Sequence, residues 1–235
     1  MIDKDLVIIG GGLGGYEAAI IASNKGLNVA LIEKDEIGGT YLNHGYIPTK
    51  ALYNSAFFSR NIKNCKELGF NIADFTIDFP TIQKQKQEIV NRLRSNIMMM
   101  LDKAKVEVIK GIASFKDENT IEVKCEENVL EISAEYFIIA TGSEENIIPI
   151  EGYDLKRVLT SKELLNIEEI PKSLVVIGGG VIGVELATIF NELGSKVVIY
   201  ENFDRLIPFL DTDISSRLEV YLKKIGIEVI TYALV

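Results

Sequence analysis

Tryptophan is absent from the 235 residues, histidine occurs once, cysteine twice and proline five times. Cys65 and Cys125 are too few for a disulfide framework, and each reads as a reduced, partly buried residue. A lone histidine, His44, gives no histidine-based metal set; it reads as a loop residue, and no metal site is expected. Basic charge is in deficit, 25 Lys and Arg against 34 Asp and Glu, for a net charge of −9. That balance excludes a binder of phosphate backbones, so no nucleic-acid partner is expected. No hydrophobic run reaches the length of a membrane span. The most apolar stretch, Leu174 to Val184, is rich in glycine and ends at Glu185. The start, Met1 to Asp5, carries acids rather than the basic region of a secretory signal. A cytoplasmic protein without membrane contact is the expectation. Hydrophobic residues make up 47%, enough to build a core.

The order of elements then gives a fold class. Leu6 to Ile9 is a short apolar run that ends in glycines, followed by a helical pattern from Gly14 to Lys25 and a second strand, Asn28 to Ile32. Strand, turn, helix and strand within one βαβ length predict parallel strands. Glycines and a proline break the chain from Gly38 to Pro48. Helical patterning resumes after Thr49 and again from Thr81 to Lys103, where Met98 to Met100 read as packing. From Val106 the period shortens. Val106–Ile109, Ile112–Phe115, Thr120–Lys124 and Val129–Ile132 predict an antiparallel meander inserted over 106–132, with turns at Asp117–Asn119 and Glu126–Asn128. Tyr136 to Ala140 predicts a further buried strand before Thr141-Gly142-Ser143. A connecting segment, 148–172, holds a short helical piece from Ser161 to Leu165.

At Leu174 the pattern starts again. Gly10, Gly12 and Gly15 fit G-x-G-x-x-G after a strand, and Gly178, Gly180 and Gly183 do the same. Glu33 lies 18 positions after Gly15, and Glu201 lies 18 positions after Gly183, each at the end of a predicted second strand. One such motif is a weak signal. Two in the same context, each with an acid at equal spacing, predict two dinucleotide sites. The first glycine permits the turn, the second admits a pyrophosphate, and the third lets helix and strand approach. The helix N-terminus receives phosphate and the acid accepts from a ribose. At the second site Asn202 and Phe203 follow the acid, which favours the free 2′-hydroxyl of NAD; Arg205 keeps the 2′-phosphate of NADP open. The fold class expected is α/β, with two Rossmann-like units, the first carrying the meander and the second incomplete.

Gly10 to Gly15, Glu33, the run Gly38-Gly39-Thr40-Tyr41-Leu42-Asn43-His44-Gly45-Tyr46-Ile47-Pro48-Thr49-Lys50, and Ala140-Thr141-Gly142 carry a resemblance. Together they resemble the flavin-dependent pyridine nucleotide–disulfide oxidoreductases, closest by motif to the dihydrolipoamide dehydrogenase branch. The resemblance covers the chain in order, with FAD-binding 1–147, a connection and a partial NAD-binding part, 173–235. It implies FAD at Gly10, Gly12, Gly15, Glu33, Lys34, Gly39, Thr40, Lys50, Ala113, Ala140, Thr141 and Gly142. It implies NAD at Gly178, Gly180, Ile182, Gly183 and Glu201. Lys50 matches the family lysine beside the flavin ring and Glu185 the acid that pairs with it. A fixed cation there would stabilise negative charge developing on reduced flavin.

Two departures qualify that reading. The family's redox cysteine pair falls on Tyr41 and Tyr46, and a tyrosine neither forms a disulfide nor attacks one. Cys65 and Cys125 lie elsewhere in the pattern, so thiol–disulfide exchange is not expected. The chain also stops at Val235, before the family's interface domain with its histidine and glutamate, which predicts uncovered apolar surface. Self-association or a partner chain over that face is one expectation; a fragment is another. Two function classes follow. One is an oxidoreductase passing hydride from NADH to flavin and on to a small-molecule acceptor. The other is a non-catalytic nucleotide-binding module, or a relic fragment, acting with a partner chain.

Overall fold

The computed structural model describes residues 2–234 and divides into two compact units. Met1–Pro48 with Glu88–Glu145 form the first, and Thr49–Gln87 with Asn146–Val235 the second.

In the first unit, β1 (Ile2–Ile9), α1 (Leu13–Asn24) and β2 (Val29–Glu33) make the expected βαβ, with Leu6 level with Val29 and Ile9 with Ile32. Next come two helices, α2 (Gly39–Asn43) and α3 (Tyr46–Lys63), the second running on into the other unit. A long helix, α4 (Phe79–Lys103), enters the first unit from Glu88. Four strands follow: β3 (Glu107–Lys110), β4 (Ile112–Phe115), β5 (Thr120–Lys124) and β6 (Val129–Ile139). The sheet order is β3-β2-β1-β6-β5-β4.

Two expectations change here. The meander does not begin at 106, because β3 pairs parallel with β2; only β4, β5 and β6 are antiparallel. The strands expected at 129–132 and 136–140 are one strand, whose first part pairs with β5 while its full length lies parallel to β1. The physical reason is burial. Alternation along β1 sends Leu6 and Ile8 into one core with Tyr16, Ala19, Val90, Ile97 and Leu101. Val7 points into a second core with Ile109, Ile121, Val123 and Ile132. The strands therefore need cover on both faces, helices on one side and the meander on the other.

The second unit holds α5 (Ser161–Leu164), β7 (Ser173–Ile177), α6 (Val181–Leu193), β8 (Lys196–Tyr200), α7 (Thr212–Lys224) and β9 (Glu228–Ile230). Its three described strands are parallel in the order β7-β8-β9. One face of α6 joins Val197, Ile199, Leu206 and Leu222. The other joins Leu52 and Ala56 of α3, Phe79 of α4, and Leu164 and Leu165. That second cluster is why 49–87 groups with this unit, although the sequence reading had placed it in one span, 1–147.

Candidate dinucleotide cradles

Each glycine turn is built by the same set of bonds. Gly10 and Gly178 hold φ of +108° and +104°, a conformation that favours glycine. Gly10 N–H donates to Ile32 O and Gly178 N–H to Tyr200 O, both at 2.8 Å, which ends each first strand on its neighbour. A Cβ on Gly15 would lie 1.8 Å from Gly10 O, and one on Gly183 would lie 2.1 Å from Gly178 O. The third glycine thus permits the helix to approach the strand.

The second glycine differs. A Cβ on Gly12 would meet nothing nearer than 3.9 Å, and one on Gly180 nothing within 4 Å. Neither is needed for internal packing, so both positions leave room for a ligand to reach the backbone. Gly12 and Gly180 are also the N-caps of α1 and α6, and neither cap has a side-chain hydrogen bond. First-turn N–H groups there have no intrahelical acceptor and can receive phosphate.

The acids bind the middle glycine of each turn, a residue the motif spacing does not single out. Gly11 N–H donates to Glu33 Oε2 at 2.6 Å and Asp35 N–H to Oε1 at 2.8 Å. Gly179 N–H donates to Glu201 Oε2 at 2.5 Å and Phe203 N–H to Oε1 at 2.8 Å. A carboxylate has lone pairs left after two such bonds, so each acid retains capacity for a ribose hydroxyl. The triple glycines Gly10–Gly12 and Gly178–Gly180 were the available signal, since only a residue without a side chain fits above the acid. A Cβ on Gly11 would lie 2.6 Å from Ile37, and one on Gly179 2.4 Å from Leu206.

Further segments close the first cradle. Ala140 N–H donates to Ile9 O at 2.8 Å, and a Cβ on Gly10 would lie 2.2 Å from Ala140 O. Thr141 and Gly142 continue from there, Gly142 at φ +71°. Gly38 N–H donates to Gly11 O at 2.9 Å, and a Cβ on Gly39 would lie 2.7 Å from Gly12 Cα. Gly12, Gly39, Ala140 and Thr141 are therefore gathered around one turn, with Thr40 exposed at the start of α2. Asn43 fixes that loop: its amide donates to Glu36 O, Ile37 O and Gly39 O at 3.1–3.2 Å, and its Oδ1 accepts from Arg94 Nη2 at 2.8 Å. Lys34 donates to Glu144 Oε1 at 2.6 Å, which raises its pKa. Ala113 lies two residues beyond Gly111, whose N–H donates to Glu33 O at 2.8 Å.

The cysteine-position tyrosines fill space beside this cradle. Tyr41 and Tyr46 stack with ring centroids 5.4 Å apart, and the Tyr41 hydroxyl lies 2.9 Å from that of Tyr16. Burial, then the bond to Tyr41, pushes the Tyr16 phenol well above its ordinary pKa. It stays protonated, and the trio supplies hydroxyl and ring contacts but no redox thiol. His44 ends α2, with Nε2 4.0 Å from Asp35 Oδ2.

In the second unit Lys50 and Glu185 form an ion pair, and Lys50 Nζ also lies 5.8 Å from the Tyr53 ring centre. Ile182 is exposed in the first turn of α6. Among the described residues there is no cluster of side chains suited to a metal, and no helix is long and apolar enough to cross a membrane.

A family model for pyridine nucleotide-disulphide oxidoreductases matches residues 4–235. A dihydrolipoyl dehydrogenase of Acholeplasma laidlawii is 41% identical over 98% of this chain and 69% of its own length. One from Bacillus subtilis (strain 168) is 41% identical over 96% of this chain and 50% of its own. Among solved structures, the Cu(II) complex of the HOCl-induced flavoprotein disulfide reductase RclA from Escherichia coli matches with a TM-score of 0.88 at 34% identity. That match covers all of this chain and 50% of the other. The chain thus spans about half the length of two of these relatives and 69% of the third.

Proposed function

The chain belongs to the pyridine nucleotide-disulphide oxidoreductase family, and from that premise we propose that its first unit binds FAD and its second NAD(H). Hydride then passes from nicotinamide to flavin without a disulfide relay, and a small-molecule acceptor takes the electrons. The observation that carries this reading is the pair of matching cradles, each with an open second glycine and an acid clamped beneath. When bound, the flavin supplies the two-electron centre and the nicotinamide the hydride.

The chain's own residues hold and orient those groups. Gly12 and the first turn of α1 take the FAD pyrophosphate; Glu33 accepts from its ribose. Gly10, Gly15, Lys34, Gly39, Thr40, Ala113, Ala140, Thr141 and Gly142 complete its envelope. Gly178, Gly180, Ile182, Gly183 and Glu201 do the same for NAD. Lys50, held by Glu185, is the cation offered to the flavin ring; the acid keeps its amine charged and oriented. Tyr41 and Tyr46 occupy the positions of the family's cysteine pair, so lipoamide-type disulfides are not substrates of this site.

The tyrosine substitutions also favour a second reading, a nucleotide-binding module that acts through a partner chain. One experiment separates the two: the visible spectrum of the purified protein supplied with FAD, before and after anaerobic NADH. Bound flavin that bleaches supports the oxidoreductase. Colourless protein, or flavin that NADH leaves oxidised, supports the module. Replacing Lys50 by Ala should weaken flavin binding or slow bleaching; unchanged values remove Lys50 from the site.

A further inference from the structure

The loop after β8 closes over the second glycine turn and carries a cation with no role so far, Arg205. Both ends of this loop are tied to the clamp. Phe203 N–H donates to Glu201 Oε1 at 2.8 Å, and Ile207 N–H donates to Gly179 O at 2.9 Å. Leu206, fully buried, fills the space above Gly179. Ile207 holds φ at +45°, a rare conformation for a β-branched residue, and is itself buried. Such strain persists only where the surroundings fix the backbone, so the loop has one arrangement.

Within that arrangement the Arg205 guanidinium is already engaged. Nη1 donates to the Asp204 carboxylate at 3.1 and 3.2 Å, and Nη2 donates to Pro208 O at 2.9 Å. Its Nε is buried with no acceptor, a donor direction the loop does not use. An arginine near the ribose acid is what a 2′-phosphate requires, and a phosphate brings close to two negative charges. Here the arginine sits beside one carboxylate, Asp204, in a loop bonded to another, Glu201.

We propose that Asp204 is a specificity-determining residue of the second cradle: it neutralises Arg205, so the site takes a dinucleotide with a free 2′-hydroxyl and rejects one with a 2′-phosphate. This rests on the reading of the second unit as a nicotinamide dinucleotide site. Removing the Asp204 charge leaves Arg205 free to pair with a 2′-phosphate and lowers the repulsion it meets.

The test is titration of the flavin-free full chain with NADH and NADPH, followed by the probes' own fluorescence. In the wild type NADPH should bind at least tenfold more weakly. Asp204→Asn should narrow that ratio at least fivefold, the gain shrinking as salt is added. Combining it with Arg205→Met should cancel the gain. Equal wild-type affinities, an unchanged ratio in Asp204→Asn, or a gain that survives Arg205→Met each overturn the proposal. Failure of the wild type to bind NADH at all instead overturns the dinucleotide reading beneath it, and the proposal with it. Asp204 and Arg205 lie on the surface, so thermal unfolding of each variant should match the wild type, which separates recognition from folding.

Discussion

The two glycine turns differ less in themselves than in what encloses them. Bond for bond they repeat: strand-end N–H, acid on the middle glycine, third glycine against the first glycine's carbonyl. Around the first, Ala140 presses on Gly10 and Gly39 on Gly12; around the second, nothing lies within 4 Å of a Cβ on Gly178. Where Gly38 donates to the middle-glycine carbonyl of the first turn at φ +107°, Ile207 does so in the second at φ +45°. The first turn is thus walled by backbone with no side chain in the way, the second by a loop that carries a buried isoleucine and an arginine. A recurring phosphate cradle is set by its own bonds, while its ligand preference is set by the segments laid over it.

The largest expected effect tests what the turns share. Gly15→Ala and Gly183→Ala each drive a methyl into a fixed carbonyl, so each should lose more than about 3 kcal/mol in chemical denaturation. Tolerance of either would mean that the close helix approach is adjustable after all. The next tests what they do not share. Gly10→Ala and Gly178→Ala carry the same backbone strain, about 1–2 kcal/mol. Only Gly10→Ala also meets Ala140 O, so its loss should exceed that of Gly178→Ala by at least about 1 kcal/mol. Equal losses would erase the distinction between walled and open cradles.

A smaller, matched effect is expected at the acids. Glu33→Gln and Glu201→Gln each retain the shape but give up charge-assisted bonds, roughly 1.5–3 kcal/mol per site. Unequal losses would show that the overlying segments share the load. The smallest effect separates the units by pH. Lys86, 4% exposed, donates to Leu165 O at 2.6 Å and Asn166 Oδ1 at 2.9 Å, and burial lowers its pKa from 10.5 to about 8. Between those values the unfolded chain binds more protons, so the second unit should gain stability as pH rises from about 8 to 10.5. The gain should be lost again as pH falls through 8. Urea midpoints across that window should rise in the wild type and stay level in Lys86→Met; a level wild type removes the buried amine from the account.

Much of this was legible in residue order. Apolar run, triple glycine, helix and strand recur at Leu6 and at Leu174, and both become strand–turn–helix–strand. The partnership of Lys50 with Glu185, 135 positions away, came from resemblance; spacing alone does not contain it. Three things were hidden. Glu107–Lys110 alternates like a meander strand, and only the exposed side of β2 decides that it pairs parallel. Gly39–Asn43 looks like a broken loop, yet Asn43 turns it into a helix by taking three carbonyls. Helix α7 went unread although its signals were present, with Asp211 as its N-cap and Gly226 just beyond its end.

The pairing of β1 with β6 has a consequence in time. Ile9 is level with Ile139, so the central strand of the first sheet lacks its neighbour until 130 further residues exist. At about 5–20 residues per second, synthesis leaves β1 waiting roughly 7–26 s. During that wait 49–87 emerges, and it belongs to the other unit. Neither unit is one uninterrupted stretch, so no single cut of the chain releases either intact, and the nascent protein commits to both at nearly the same moment.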